Sequence, residues 1–124
     1  MPTNVSCYMG KVSDLEIDSD DYAIYIAQYK NMIAELHLDY FGRKSIRNIE
    51  LYTAEETIIG DLIDSQVRFL KEGKLIDLTE DRDAYQKREL AYFVNLITKG
   101  GQSQNDIANA LQVLELTQGI LQGR

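Results

Sequence analysis

Residues 22–41 read YAIYIAQYKNMIAELHLDYF. Tyr22–Tyr29 is crowded with Tyr and Ile, residue types that suit a pleated surface. Lys30-Asn31 is a natural tight turn, and Met32–Phe41 follows as the second arm of a hairpin. In that arm Met32, Ala34, Leu36, Leu38 and Tyr40 alternate with Ile33, Glu35, His37, Asp39 and Phe41. A period of two gives one apolar face and one mixed polar face, the mark of a sheet covered on one side.

The same reading extends outward. Asn4–Gly10 is a β-prone run ending in glycine, and Ile46–Thr53, Thr57–Leu62, Gln66–Leu70 and Lys74–Leu78 are short strands joined by short turns. Arg47, Ile49 and Leu51 share one face of the first of these. Such spacing predicts an antiparallel meander. After residue 78 the period changes. Thr79 or Asp81 can cap a helix that runs to about Lys99, with Tyr85, Tyr92, Phe93, Leu96 and Ile97 on one face and Gly100-Gly101 as its stop. Ser103 or Gln104 starts a second helix with a stripe of Ile107, Ala110, Leu111, Leu114 and Leu121, widened by Val113, Leu116 and Ile120. The expected fold is α+β: two layers, a mostly antiparallel open sheet, and two C-terminal helices packed on one face. The other face, with Glu35, His37 and Asp39 beside Ile33 and Phe41, is half apolar and calls for a cover from a second subunit or domain.

The 124 residues are enough for one domain with a modest core. With 13 Lys and Arg against 20 Asp and Glu, the net charge is −7, which argues against nucleic acid or an anionic membrane as the main partner. No apolar run approaches the roughly 18 residues of a membrane span, and no signal-peptide pattern opens the chain. The single cysteine, Cys7, has no internal disulfide partner and reads as a small buried strand residue. A reducing cytoplasm is the expected compartment.

One His and one Cys cannot supply the usual zinc ligand sets within one chain. There is no GxxxxGK[ST], no GxGxxG and no GxSxG, so neither a phosphate cradle nor a nucleophile elbow is present. The acidic run Ser13–Asp21 lacks the spacing of an EF-hand calcium loop and reads as a solvated loop. Glu35 and Asp39 share a strand face, but four residues place them about 13 Å apart, beyond the roughly 5–9.5 Å of paired glycosidase carboxylates. No catalytic, cofactor-binding or metal-ligating residue is assigned.

The order of features resembles a known family. Asp20-Asp21-Tyr22-Ala23 resembles the D-x-A that opens the family's hairpin, Leu36–Ile49 (LHLDYFGRKSIRNI) its strand pair, and Tyr85–Leu96 (YQKRELAYFVNL) the helix that follows. Ser103–Leu116 is similar to its closing segment in length and pattern. The family is the glucose–fructose oxidoreductase, inositol dehydrogenase and MocA-like oxidoreductases, in particular members of sugar-nucleotide and polysaccharide biosynthesis. The likeness is to their C-terminal α/β domain and runs from Asn4 to Gly123. It implies that residues 1–124 are the substrate-binding and oligomerisation part of an oxidoreductase. The Rossmann domain that binds NAD or NADP, with its nucleotide fingerprint, Glu-Lys-Pro lysine and Asp-x-x-x-His motif, would lie upstream. The family often has a Gly-x-x-Gly turn where this chain has Ala54-Glu55-Glu56-Thr57.

His37, Tyr40, Arg43 and Arg47 are the candidate substrate contacts under that reading. His37 is the single histidine of the chain, the residue type suited to proton exchange with a substrate. Arg43, Lys44 and Arg47 form a basic cluster suited to the carboxylates or phosphates of a nucleotide sugar, although a surface role is also open. Tyr40 belongs to a group with Tyr22, Tyr25, Tyr29 and Tyr52, suited to packing or to sugar contact. The expected partners are the Rossmann domain and a second copy meeting the open sheet face. The alternative is a stand-alone, non-enzymatic α+β module that dimerises or binds a ligand.

Overall fold

The computed structural model describes residues 2–117. It holds seven strands, β1 (Asn4–Gly10), β2 (Tyr22–Gln28), β3 (Ile33–Asp39), β4 (Asn48–Tyr52), β5 (Thr57–Asp61), β6 (Gln66–Phe69) and β7 (Lys74–Asp77), then two helices, α1 (Ala84–Lys99) and α2 (Ile107–Thr117). The fold is α+β, every strand pairing is antiparallel, and both helices follow the strands. Ile120 and Leu121 of the expected second-helix stripe lie outside the described residues.

The strands form two sheets, ordered β1-β2-β3 and β4-β5-β6-β7, where the alternation alone suggests one open sheet. The break follows β3. There Asp39 Oδ1 accepts the amides of Phe41 at 2.7 Å and Gly42 at 3.2 Å, an Asx turn that ends the strand. The chain divides into two compact units. One comprises the chain up to Gly42 together with the chain from Gln102 onward, and the other is Arg43–Gly101.

In the first unit, Val5, Cys7 and Met9 of β1 stand opposite Ala27, Tyr25 and Ala23 of β2, which stand opposite Ala34, Leu36 and Leu38 of β3. This is the apolar face that the alternation predicts. Its buried apolar residues are Val5, Tyr25 and Ala27, 4%, 6% and 8% exposed. The Tyr25 hydroxyl donates to the Thr117 carbonyl at 2.8 Å, so the end of α2 meets the sheet at that ring. Burial raises the pKa of the Tyr25 phenol, and the neighbouring Cys7 adds to the shift.

The second unit is also two-faced. Ile49, Leu51, Ile58, Gly60, Val67, Phe69, Lys74 and Ile76 share one side by cross-strand register. Lys74 is the only charged residue there, its ammonium 5.5 Å from the Phe69 ring centre. The opposite side carries Asn48, Glu50, Asp61, Gln66, Arg68 and Asp77. Arg47 lies just before β4, and its carbonyl accepts the Leu62 amide at 2.9 Å. No described residue of this unit is buried.

The connections are held by side chains. Thr53 Oγ1 accepts the Glu56 amide at 2.9 Å in the β4–β5 turn, which closes Ala54-Glu55-Glu56-Thr57 without a glycine. The Glu56 carboxylate accepts the amides of Thr57, Lys71 and Glu72, tying that turn to the β6–β7 turn. Asp61 Oδ1 accepts the amides of Ile63 and Asp64 in the β5–β6 turn.

The helices start later than their expected caps. Thr79 bonds Asp77, and Asp83 is the N-cap of α1, without a side-chain bond. For α2 the cap is Asp106, whose carboxylate accepts the Asn109 amide at 2.8 Å, rather than Ser103 or Gln104. Neither helix buries a residue, whereas the two-layer expectation has both stripes covered. The last turn of α2 meets its sheet where the Thr117 carbonyl accepts the Tyr25 hydroxyl, and Leu116 of the stripe is half-buried there. No helix among the described residues is long and apolar enough to cross a membrane.

Ser65 and Gly73 make the turn conformations testable. Ser65 is the only described non-glycine residue with positive φ, at 53°, and Gly73 stands at φ 67°. A side chain in this region costs roughly 1–2 kcal/mol. Ser65→Gly should therefore raise the thermal midpoint by a few degrees and Gly73→Ala should lower it by a similar amount, read by circular dichroism. A drop for Ser65→Gly would mean that its side chain contributes more than the strain costs.

Candidate functional site

The candidate site lies on the mixed face of the first sheet. Cross-strand register groups Tyr8, Ile24 and His37 in one row, Gly10, Tyr22 and Asp39 in the next, and Ser6, Ile26 and Glu35 on the other side. The Tyr22 ring lies across Gly10: a methyl group there would meet the Tyr22 hydroxyl at 3.0 Å and ring carbons at 3.2–3.3 Å. A glycine at the end of β1 thus lets the aromatic ring lie flat on the sheet.

His37 and Asp39 are two residues apart on one strand face and meet, Nε2 to Oδ2, at 2.9 Å. The Asp39 carboxylate is fixed at both ends, since Oδ1 holds the Phe41 and Gly42 amides. The Phe41 amide is the main cause of its lowered pKa. Partial desolvation opposes the shift, while the Gly42 amide and His37 add to it. A fixed carboxylate beside an imidazole orients the ring, and the His37 side chain stays 52% exposed. Oriented imidazole, carboxylates and tyrosine rings suit the hydroxyls and apolar faces of a polyol, or a covering protein surface. The partner of the His37 ring among the described residues is Asp39, not a serine or cysteine. Among the described residues no group of three His, Cys, Asp or Glu could hold a metal ion.

His37 and Tyr40 belong to the first unit, Arg43 and Arg47 to the second. Tyr40 follows β3 directly, and its amide donates to the Asp21 carbonyl at 3.1 Å. Arg43 and Arg47 are exposed and form no ion pair among the described residues. Lys44 helps to lower the Asp61 pKa by its charge, a minor cause beside the Asp64 amide.

What sequence reading does not foresee is the burial of Asp21. The residue sits in the acidic run read as a solvated loop, yet it is 0% exposed. Its carboxylate accepts the Val12 amide at 3.0 Å, the Ser13 amide at 2.8 Å and the Ser13 hydroxyl at 2.5 Å. Its own amide donates to Gly10 at 2.9 Å. Burial works against the charged carboxylate, but the Ser13 hydroxyl, the two amides and Lys11 outweigh it and lower the pKa. The available signal was a serine eight residues before an aspartate that immediately precedes a strand. It is hard to isolate among neighbouring Asp14, Glu16, Asp18 and Asp20.

Compared with protein-family models, characterised proteins and solved structures, the chain has no match.

Both Asp21 and Asp39 have folded pKa values below the ordinary 3.8. The unfolded chain therefore takes up protons first as the pH falls, and acid favours unfolding. Stability from these groups should be constant from pH 7 to about 5 and should fall below about 4. Asp21→Ala should lower the midpoint at pH 7 by on the order of 5–15 °C, because the Val12 and Ser13 amides and the Ser13 hydroxyl lose an ionised acceptor. It should also flatten the acid limb of a plot of midpoint against pH. An unchanged limb would assign acid sensitivity to other carboxylates.

Proposed function

We propose that this chain is the C-terminal substrate-binding and oligomerisation domain of an NAD(P)-dependent sugar or nucleotide-sugar oxidoreductase of the cytoplasm, not catalytic by itself. The observation that carries the reading is the amount of organised apolar surface left uncovered. In the second unit a complete sheet face and a helix stripe are formed, yet no residue is buried. In the first, Tyr8, Ile26, Ile33, Leu36 and Leu38 are all exposed. Such surface on a chain with sound ladders and side-chain-fixed turns suits a domain completed by another body. The family resemblance supplies the body's identity: a Rossmann domain at the substrate site and a second copy at the open sheet face.

Within this reading the fixed His37 presents its imidazole to substrate hydroxyls and Tyr40 extends the same strand end; Arg43 and Arg47, which belong to the second unit, are separate candidates for a carboxylate or phosphate. The nicotinamide cofactor belongs to the other domain, because pyrophosphate binding needs a glycine turn at a helix N-terminus and this sequence has no such motif.

The coding sequence upstream of Met1 provides the direct test. The expected finding is an in-frame extension of roughly 150–200 residues that contains a strand–GxGxxG–helix unit. A stop codon and ribosome-binding site there would instead favour the stand-alone module. In the extended protein, His37→Ala and Arg47→Ala should each raise KM about tenfold or more, the cost of one charge-assisted contact, with little loss of NAD(P)H binding. The isolated chain should bind NADH no more tightly than millimolar by calorimetry and should be dimeric or larger by light scattering at micromolar concentration.

A further inference from the structure

The outer edge of β3 is open. At the hairpin turn the Tyr29 amide donates to the Met32 carbonyl at 2.8 Å, and at the far end the Tyr40 amide donates to the Asp21 carbonyl at 3.1 Å. These two bonds fix the alternation between them. Ala34, Leu36 and Leu38 turn their amides and carbonyls toward β2, and Ile33, Glu35, His37 and Asp39 turn theirs away from it. Among the described residues no backbone group pairs with that outward row. Every β3 residue except half-buried Ala34 is exposed, whereas the other outer strand, β1, holds the buried Val5. β3 carries no proline or lysine, and its register with β2 runs unbroken over seven residues, so no bulge turns the edge away.

We propose that this edge pairs with the same edge of a second copy, β3 to β3, antiparallel and centred on Leu36, so that two three-stranded sheets join into one of six strands. Centring on Leu36 sets the two outward rows against each other. Glu35 of one copy then exchanges backbone bonds with His37 of the other, and Ile33 with Asp39, each pair occurring twice. A two-fold contact needs a surface complementary to itself, and β3 meets that condition. On the mixed face each Glu35 carboxylate stands opposite a His37 imidazole. On the apolar face Leu36 meets Leu36 and each Ala34 meets a Leu38, so the apolar stripe continues across both copies.

Other centres lose this match. Pairing centred on Glu35 sets the two Glu35 carboxylates against each other. Pairing centred on His37 sets each Glu35 against Asp39, and like charges directly opposite are destabilising. Centring on Ala34 or Leu38 engages only one end of the strand. The side chains of β3 therefore select one register out of those that the open backbone allows. The pairing uses the edge and leaves both faces of the sheet free, so it is distinct from cover of a face and does not depend on the oxidoreductase reading.

The test uses the full chain with Cys7→Ser. Leu36→Cys sets two cysteines opposite each other in a non-hydrogen-bonded pair, about 4.5 Å between Cα atoms, within the span of a disulfide. Ile33→Cys is the control. Ile33 is more exposed than Leu36, 71% against 47%, but in this register it lies roughly 20 Å from its own counterpart. Under mild oxidation Leu36→Cys should form the interchain disulfide at least about tenfold faster than Ile33→Cys. Equal rates in a chain that is dimeric by light scattering would overturn edge pairing and leave a dimer through the sheet face standing. A monomer at micromolar concentration would overturn both. A charge exchange provides a check that does not depend on cysteines. Glu35→Arg and His37→Glu should each weaken dimerisation about fivefold or more, and the two together should restore it. A double variant no tighter than either single one would sink the register.

Discussion

The buried carboxylate of Asp21 organises the first unit. It lies where the long β1–β2 connection returns to the sheet, and three donors from residues 12 and 13 converge on it. Its own backbone bridges the Gly10 carbonyl at the end of β1 and the Tyr40 amide just beyond β3. One residue therefore closes an eleven-residue excursion and aligns the ends of three strands. The physical basis is that amides of a turn that make no ladder bond need an acceptor of their own, and a buried carboxylate aimed at them supplies it. An ionised carboxylate can satisfy several such donors at once. The fixed strand end then places His37, Asp39 and Tyr40.

The same device recurs. Asp39, Glu56, Asp61 and Asp106 each accept backbone amides at a turn or helix start. An excess of acids in this chain thus does more than solvate its surface. It supplies acceptors that fix the connections, most clearly at Glu56, whose carboxylate accepts the Thr57, Lys71 and Glu72 amides. It also couples neighbouring connections, since Glu56 spans from one hairpin turn to the next. For Glu56, as for Asp21 and Asp39, the bound amides lower the carboxylate pKa.

Strand positions and faces were legible because alternation is a local code. Val5, Tyr25 and Leu36 point one way, and Tyr8, Ile24 and His37 the other, as the period of two requires. The helix stop at Gly100 was legible because glycine adopts φ 72° without strain. The helix starts were misplaced. Ser, Thr and Asp are frequent between residues 79 and 106, and only geometry selects which side chain reaches an N–H. Of the candidate site, the neighbours on β3 could be read from spacing, but the His37–Asp39 contact and the Tyr22 ring over Gly10 could not. Both depend on rotamers set by cross-strand neighbours.

The sequence by itself determined the α+β class, the order of seven strands and two helices, and the polarity of each face, because these follow from backbone preference and from periods of 2 and 3.6 along one chain. Only the tertiary structure decided that the strands separate into two sheets, that Asp21 is buried, and that Arg43 and Arg47 fall in a different unit from His37. Those outcomes depend on which distant amides and carbonyls find each other. That competition is settled by hydrogen bonds between residues far apart in the chain, for which no local pattern codes.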